Sequence, residues 1–157
     1  MGTSKIPAII DALIAYSQTA LAATKCRVLD GLGADDDPSD FLMVGVEVPS
    51  SMGPAFTAQS DQSVGPMGPP RTRDQNGAVW LAAYSWNGNG DQKLARDTAY
   101  GYVAAVETFL RTDPNLGIAA GGNFVAQMGD SERFSQNQDE NGADALVVFN
   151  VKFFARI

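Results

Sequence analysis

Two stretches of the chain carry apolar residues at the three-to-four-residue spacing of an amphipathic helix. Residues 5–22 form the first stretch and residues 91–112 the second. Asp91 suits the positive start of a helix dipole, and Asp113-Pro114 ends the second helix. The two apolar stripes are Ile6, Ile10, Leu13, Ile14, Ser17 and Leu21, and Leu94, Ala95, Ala99, Tyr102, Val106, Phe109 and Leu110.

Other segments have the two-residue period or the short apolar runs of β-strands. They are residues 26–30, 41–48, 78–86, 123–136 and 143–157. The Asn-Gly pair after Glu140 is a strong signal for a hairpin between the last two. In the final strand one predicted face holds Val147, Phe149, Val151, Phe153, Ala155 and Ile157. The order predicts one α+β domain over residues 1–157, with two helices on one face of a mainly antiparallel sheet.

Residues 49–77 interrupt these patterns. The segment contains five prolines and four glycines, with few apolar residues among them. Loops this long inside a compact domain are generally functional or disordered. We therefore expect an extended arm, or a long ragged hairpin, that becomes ordered against a neighbouring subunit, with Met52, Phe56 and Met67 as contact residues.

The charge of the chain restricts its partners. Eleven basic residues against 18 acidic ones give a net charge of −7. A chain that coats nucleic acid or binds an anionic membrane needs a basic face, so neither role is expected. Asp11 interrupts the first apolar stretch, and no run approaches the roughly 18 apolar residues of a membrane span, so the sequence predicts neither a targeting segment nor a membrane anchor.

The sequence lacks the usual residues of catalysis. It has no histidine, which excludes Ser-His and Cys-His nucleophiles and removes the commonest metal ligand. Cys26 has no histidine to activate it and fits a small, partly buried apolar side chain. No Ser-x-x-Lys motif is present. We therefore expect a protein that is not an enzyme and has no cofactor.

Acidic and glycine-rich loops offer weak alternatives. Asp35, Asp37 and Ser39 match only the first part of a calcium loop, because Asp40 stands where glycine is required and Val46 where the late glutamate is required. We interpret the carboxylates of Asp35, Asp36, Asp37 and Asp40 as solvated. Residues 137–142 match the first part including its glycine, Gly142, but Val148 stands where the late glutamate is required, and the segment fits a hairpin turn. Residues 88–90 precede a helix but lack the Gly-Lys-Ser/Thr of a phosphate loop. No metal site is predicted.

Two further groups concern binding. Arg71 and Arg73 form a close basic pair at the end of the arm. We expect them to pair with the acidic residues 35–37 of a neighbouring subunit. Trp80, Tyr84 and Trp86 alternate along one strand and favour a packed sheet face over a carbohydrate platform.

The order and spacing of several segments together resemble a known family, the tail terminator (tail-to-head joining) proteins of siphophages, especially those infecting actinobacteria. The basic pair at 71 and 73 lies between the third and fourth of these segments. The segments are IPAIIDAL (6–13), VLDG (28–31), DPSDFLMVG (37–45), AYSWNG (83–88), AYGYVAAVE (99–107), LRTDPNLG (110–117) and FNVKFFARI (149–157).

The resemblance implies a structural virion protein of the tail and neck, assembled in the host cytoplasm. Its subunits would form a homo-oligomeric ring, a hexamer, that caps the tail tube, stops its polymerisation and meets a head completion or neck protein. Viral double-stranded DNA would pass through the lumen without specific binding. Two alternatives stay open: another neck or tail tube component, and a monomeric module that binds carbohydrate or a small ligand.

Overall fold

The computed structural model describes residues 3–32, 39–64, 72–118 and 123–157. Its helices are α1 (Ile6–Ala20) and α2 (Gln92–Thr112). Its strands are β1 (Arg27–Asp30), β2 (Phe41–Val44), β3 (Ala58–Val64), β4 (Arg73–Asn87), β5 (Phe124–Asp139) and β6 (Gly142–Arg156). The predicted α+β class is therefore confirmed.

The six strands form one mostly antiparallel sheet in the order β1-β2-β4-β6-β5. Only β1 and β2 pair in parallel among the described strands. Strand β4 carries β6 along one edge and shares the other edge between β2 and β3. The long strand β4 is thus the centre of the sheet.

Both helices pack on one face of this sheet. Along β4 and β6 the odd-numbered residues point toward the helices, and Val79, Leu81, Val147 and Val151 are fully buried there. Helix α2 adds Ala95, Ala99, Tyr102, Val103, Val106 and Leu110 to the same core. Burial of this apolar surface is the main force that holds the helices on the sheet.

The opposite face of the sheet is not covered by any described element. It carries the even-numbered residues of β4 and β6 together with their cross-strand partners. We call it the open face. Neither helix of the described residues is long and apolar enough to cross a membrane.

Part of residues 49–77 forms strands, and their antiparallel pairing is that of the hairpin, one of the two forms predicted for this segment. Within this range β3 pairs with the first residues of β4, from Ala58 opposite Val79 to Val64 opposite Arg73. Strand β3 and the first residues of β4 are mostly polar, so the sequence there shows no alternation of apolar and polar residues that would predict a strand. The intervening residues 65–71 lie outside the described residues. Contact with a neighbouring subunit stays a prediction.

Smaller differences concern single residues. Strand β2 ends at Val44, not Val48, because Gly45 has a φ of +78° and turns the chain. Leu94, predicted in the α2 stripe, is 53% exposed. Ile9, which the predicted α1 stripe omits, is fully buried. Asp91 caps α2 as expected, since its side chain accepts a hydrogen bond from the Leu94 amide.

Candidate functional site

The predicted contact residues of the arm are only partly described. Met52 is 95% exposed, and Phe56 forms an isolated bridge with Val48. Arg73 begins β4, and its guanidinium donates to Gln62 Oε1 at 3.2 Å. The remaining predicted residues, Met67, Arg71, Asp35, Asp36 and Asp37, lie outside the described residues. Their pairing across subunits is therefore still a prediction.

Asp40 is a correction to the solvated acidic loop of the prediction. Its side chain is only 2% exposed and accepts hydrogen bonds from the Trp86 amide at 3.0 Å and Ser85 Oγ at 3.2 Å. The Tyr102 hydroxyl donates a short hydrogen bond to the same carboxylate, and Lys25 Nζ lies 3.6 Å away. Because a buried charge needs such partners, this carboxylate joins β2, β4 and α2.

Two groups beside Asp40, the Cys26 thiol and the Tyr102 hydroxyl, are held in their neutral forms. Burial raises the pKa of the Cys26 thiol to about 12, with a further contribution from the Asp40 charge. Burial and the hydrogen bond to Asp40 also raise the pKa of Tyr102. A thiol reacts as its thiolate, so this cysteine is a poor nucleophile at neutral pH. The cluster fits a structural role.

A groove of about 580 Å³ lies on the open face between β3 and β5. Trp80 and Asn150 are direct cross-strand partners in its floor. The floor continues to Lys152, which forms an ion pair with Asp130 at 2.7 Å. The groove thus combines one indole with amide and charged groups, a mixture that suits a polar ligand.

Apolar rows cross the open face beside the groove. The register places Leu29, Met43, Ala82 and Val148 in one row over four strands. The adjacent row contains the stacked rings of Phe41 and Tyr84, followed by Leu146. Tyr84 and Trp86 therefore share the face with Trp80, as expected, and Gly88 lies against the Trp86 ring.

The outer edge of strand β5 is covered near its start but not along its second half. Near its start, the Ala126 amide donates to the Pro114 carbonyl at 2.7 Å, which covers that part of the edge. A bulge follows, in which residues 129–131 face the single residue Asn150. Beyond it, residues 132–139 pair only with β6 among the described residues, and all eight are exposed. We call residues 132–139 the distal edge.

No grouping of three or more Cys, Asp or Glu residues in the described parts of the chain could hold a metal ion. Besides Asp40, sequence reasoning missed the burial of two side-chain amides. Gln75 and Asn150 are 0% and 4% exposed. Each lies within an otherwise ordinary strand pattern, where an amide gives no sign of burial.

A scan against protein-family models finds no match, and a search of curated proteins finds none.

Proposed function

We propose that this chain is a structural subunit of a virion, a tail terminator that forms a hexameric ring at the end of the tail tube. In that role it stops polymerisation of the tube, meets a head completion or neck protein, and surrounds the viral DNA. It performs no catalysis and needs no cofactor. The resemblance of the ordered sequence segments to tail terminators supplies this specific identity.

The open face is the structural observation that supports the proposal. Its apolar rows span β1, β2, β4 and β6, and no described element covers them. Monomeric proteins rarely leave a large contiguous apolar surface in water, and such surfaces usually mark a contact with another protein. A closed ring covers such a surface with a neighbouring subunit and limits growth to a defined number of copies.

The charge supports the same role. With a net charge of −7 per subunit, a six-subunit ring carries 6 × −7 = −42. A wall of this sign repels the phosphate backbone, so DNA passes without adhering. The buried Asp40 cluster and the inert Cys26 fit a protein whose polar groups stabilise its fold.

Negative-stain electron microscopy tests the proposal directly. The purified protein is imaged alone and mixed with the tail tube protein from the same source. Six-fold rings, or tubes capped at one end and halted in length, are the expected result. Tubes of unchanged length without caps, together with the absence of rings, would contradict it. Tubes built from this chain alone would favour a tail tube component.

The groove supports a second candidate function, a module that binds carbohydrate or another small polar ligand. Trp80 provides a stacking surface, and the ammonium of Lys152 provides hydrogen-bond donors. Titration with a panel of oligosaccharides, followed by tryptophan fluorescence, tests it. Saturable changes that Trp80→Ala abolishes and Trp86→Phe preserves would favour this function; a flat response across the panel would remove it.

A further inference from the structure

We propose that the distal edge of β5 pairs with the same edge of a second copy of this chain, in antiparallel orientation, with Arg133 of each copy opposite Asp139 of the other. The result is a closed dimer in which two sheets join into one. This inference rests on the edge of the sheet and does not depend on the open face or on the ring.

The free backbone groups of the distal edge can be assigned from the hairpin. Asp139 and Gly142 close the two-residue turn and form a hydrogen-bonded pair. Because such pairs alternate along an antiparallel ladder, the N–H and C=O groups of Gln138, Gln136 and Phe134 point away from β6. No described residue accepts or donates to these groups.

The composition of the distal edge permits pairing. Natural edge strands avoid association through proline, charged side chains and especially lysine, bulges or a covering loop. The loop at Pro114 and the bulge at 129–131 protect only the first half of β5. Residues 132–139 contain neither proline nor lysine. This half therefore offers a regular template for a partner strand.

Symmetry restricts the register of two identical edges. A two-fold axis perpendicular to the sheet keeps the open faces on the same side, so residues of equal parity face each other. The register can then shift only in steps of two, since a shift of one moves side chains to the wrong face. With Gln136 opposite itself, Arg133 faces Asp139 and Ser135 faces Asn137. A shift by two residues in either direction puts Arg133 opposite Asn137 or Asn141, neither of which is charged.

The side chains of this register are available. Arg133 and Asp139 are exposed, and Arg133 forms no ion pair with any described residue. Asp139 Oδ1 accepts from the Asn141 amide at 2.8 Å, which fixes the carboxylate near the strand and leaves Oδ2 for a second donor. Arg133 and Asp139 would occupy non-hydrogen-bonded positions, where cross-strand side chains come closest.

Analytical ultracentrifugation over micromolar to millimolar concentrations tests the pairing. A monomer–dimer equilibrium is expected. Gln136→Pro removes one outward N–H without interrupting the ladder to β6, so dimerisation should weaken by about tenfold or more while the melting temperature stays close to wild type. Gln136→Ala keeps the N–H and should dimerise like wild type. A chain that stays monomeric at millimolar concentration would overturn the proposal.

A charge-reversal cycle tests the register. Arg133→Asp and Asp139→Arg should each weaken the dimer by about tenfold, because each places like charges opposite one another at two symmetric contacts, and the double variant should regain most of the affinity. The matched control reverses the exposed α2 pair, Lys93→Asp with Asp97→Lys. A dimer insensitive to the cycle and to Gln136→Pro would overturn the proposal. Rings observed without dimers would contradict this proposal and support the proposed function. Dimers observed without rings would support this proposal and contradict the proposed function.

Discussion

Gly129 in the bulge of β5 leaves the space that the side chain of Asn150 in β6 occupies. A Cβ at Gly129 would lie 2.6 Å from Asn150 Cγ and would overlap Oδ1. The same Oδ1 accepts a hydrogen bond from the Ser131 amide at 3.3 Å. The missing side chain of one strand thus lets the amide of the other strand fill the bulge and satisfy its backbone.

Substitution of Gly129 should therefore destabilise the fold. Gly129→Ala forces Asn150 from its position, and we expect the free energy of unfolding to fall by about 1–3 kcal/mol. Gly101 provides a matched control, because it is exposed in α2 and nothing lies within 4 Å of the position that a Cβ would take. Gly101→Ala should raise stability by about 0.5–1 kcal/mol. Urea unfolding measures both, and equal effects of the two changes would contradict the prediction.

Gln75 should contribute to the attachment of α1. Its Oε1 accepts from the Lys5 amide at 2.9 Å, and its Nε2 donates to Ser4 Oγ at 2.7 Å and Ser60 Oγ at 2.9 Å. Gln75→Leu removes the acceptor of the Lys5 amide and the donor to both serine hydroxyls, and we expect the free energy of unfolding to fall by about 1–3 kcal/mol.

The exposed Gln59 serves as control for Gln75, and Gln59→Leu should change stability by less than about 0.5 kcal/mol. Amide hydrogen exchange adds a local readout, since Gln75→Leu should release the first turn of α1 before the rest of the helix. Uniform exchange along α1 in the variant would argue against this attachment.

Alkaline pH should destabilise the protein. The pKa of Cys26 is raised from 9.0 to about 12 and that of Tyr84 from 10.0 to about 12, chiefly by burial. Between these values the unfolded chain releases protons that the folded chain keeps. Stability from these groups is therefore complete below the unfolded pKa values and is lost as pH rises toward about 12.

Urea unfolding at a series of pH values above neutrality measures this slope. In Cys26→Ala, the free energy of unfolding should fall less steeply with pH than in wild type, starting at the pH where a free thiol ionises. In Tyr84→Phe, the same difference should start about one pH unit higher. Because lysine residues titrate in the same range, only the difference between variant and wild type is compared. Identical slopes in all three proteins would contradict the assignment.

Adjacent residues of β6 should separate assembly from folding. Val148 lies on the open face and Val147 is fully buried beneath α2. Val148→Lys should leave the melting temperature near that of wild type and prevent ring formation or tube capping, because it places a charge in the apolar row. Val147→Lys should unfold the chain, since it buries an unpaired charge. Normal rings from Val148→Lys would exclude the open face as the subunit contact.

The sequence predicts the elements whose burial follows a period. Helix α2 and strand β6 each present one apolar face over many residues, so both their existence and their inward faces could be predicted. Strand β3 could not, because its residues are polar on both faces and it owes its position to the ladder with β4. Long-range backbone pairing of this kind leaves no local pattern.

The polar part of the structure was less predictable for a similar reason. Asp40 belongs by sequence to an acidic loop, but Tyr102 and the Trp86 amide, both distant in the chain, bury it. The distal edge of β5 likewise emerges only when the sheet order is known. Sequence periodicity predicts which residues face a core, whereas partners of single polar groups depend on the assembled topology.

The central position of β4 has a consequence for synthesis on the ribosome. β1, β2 and β3 precede β4 in the chain, yet both β2 and β3 pair with β4. Strands β2 and β3 therefore leave the exit tunnel before β4, the strand that they pair with, has been synthesised. Since β6 then covers the other edge of β4, the sheet is completed only after β6 is translated, and the apolar strand β2 stays unpaired on that side until β4 is made.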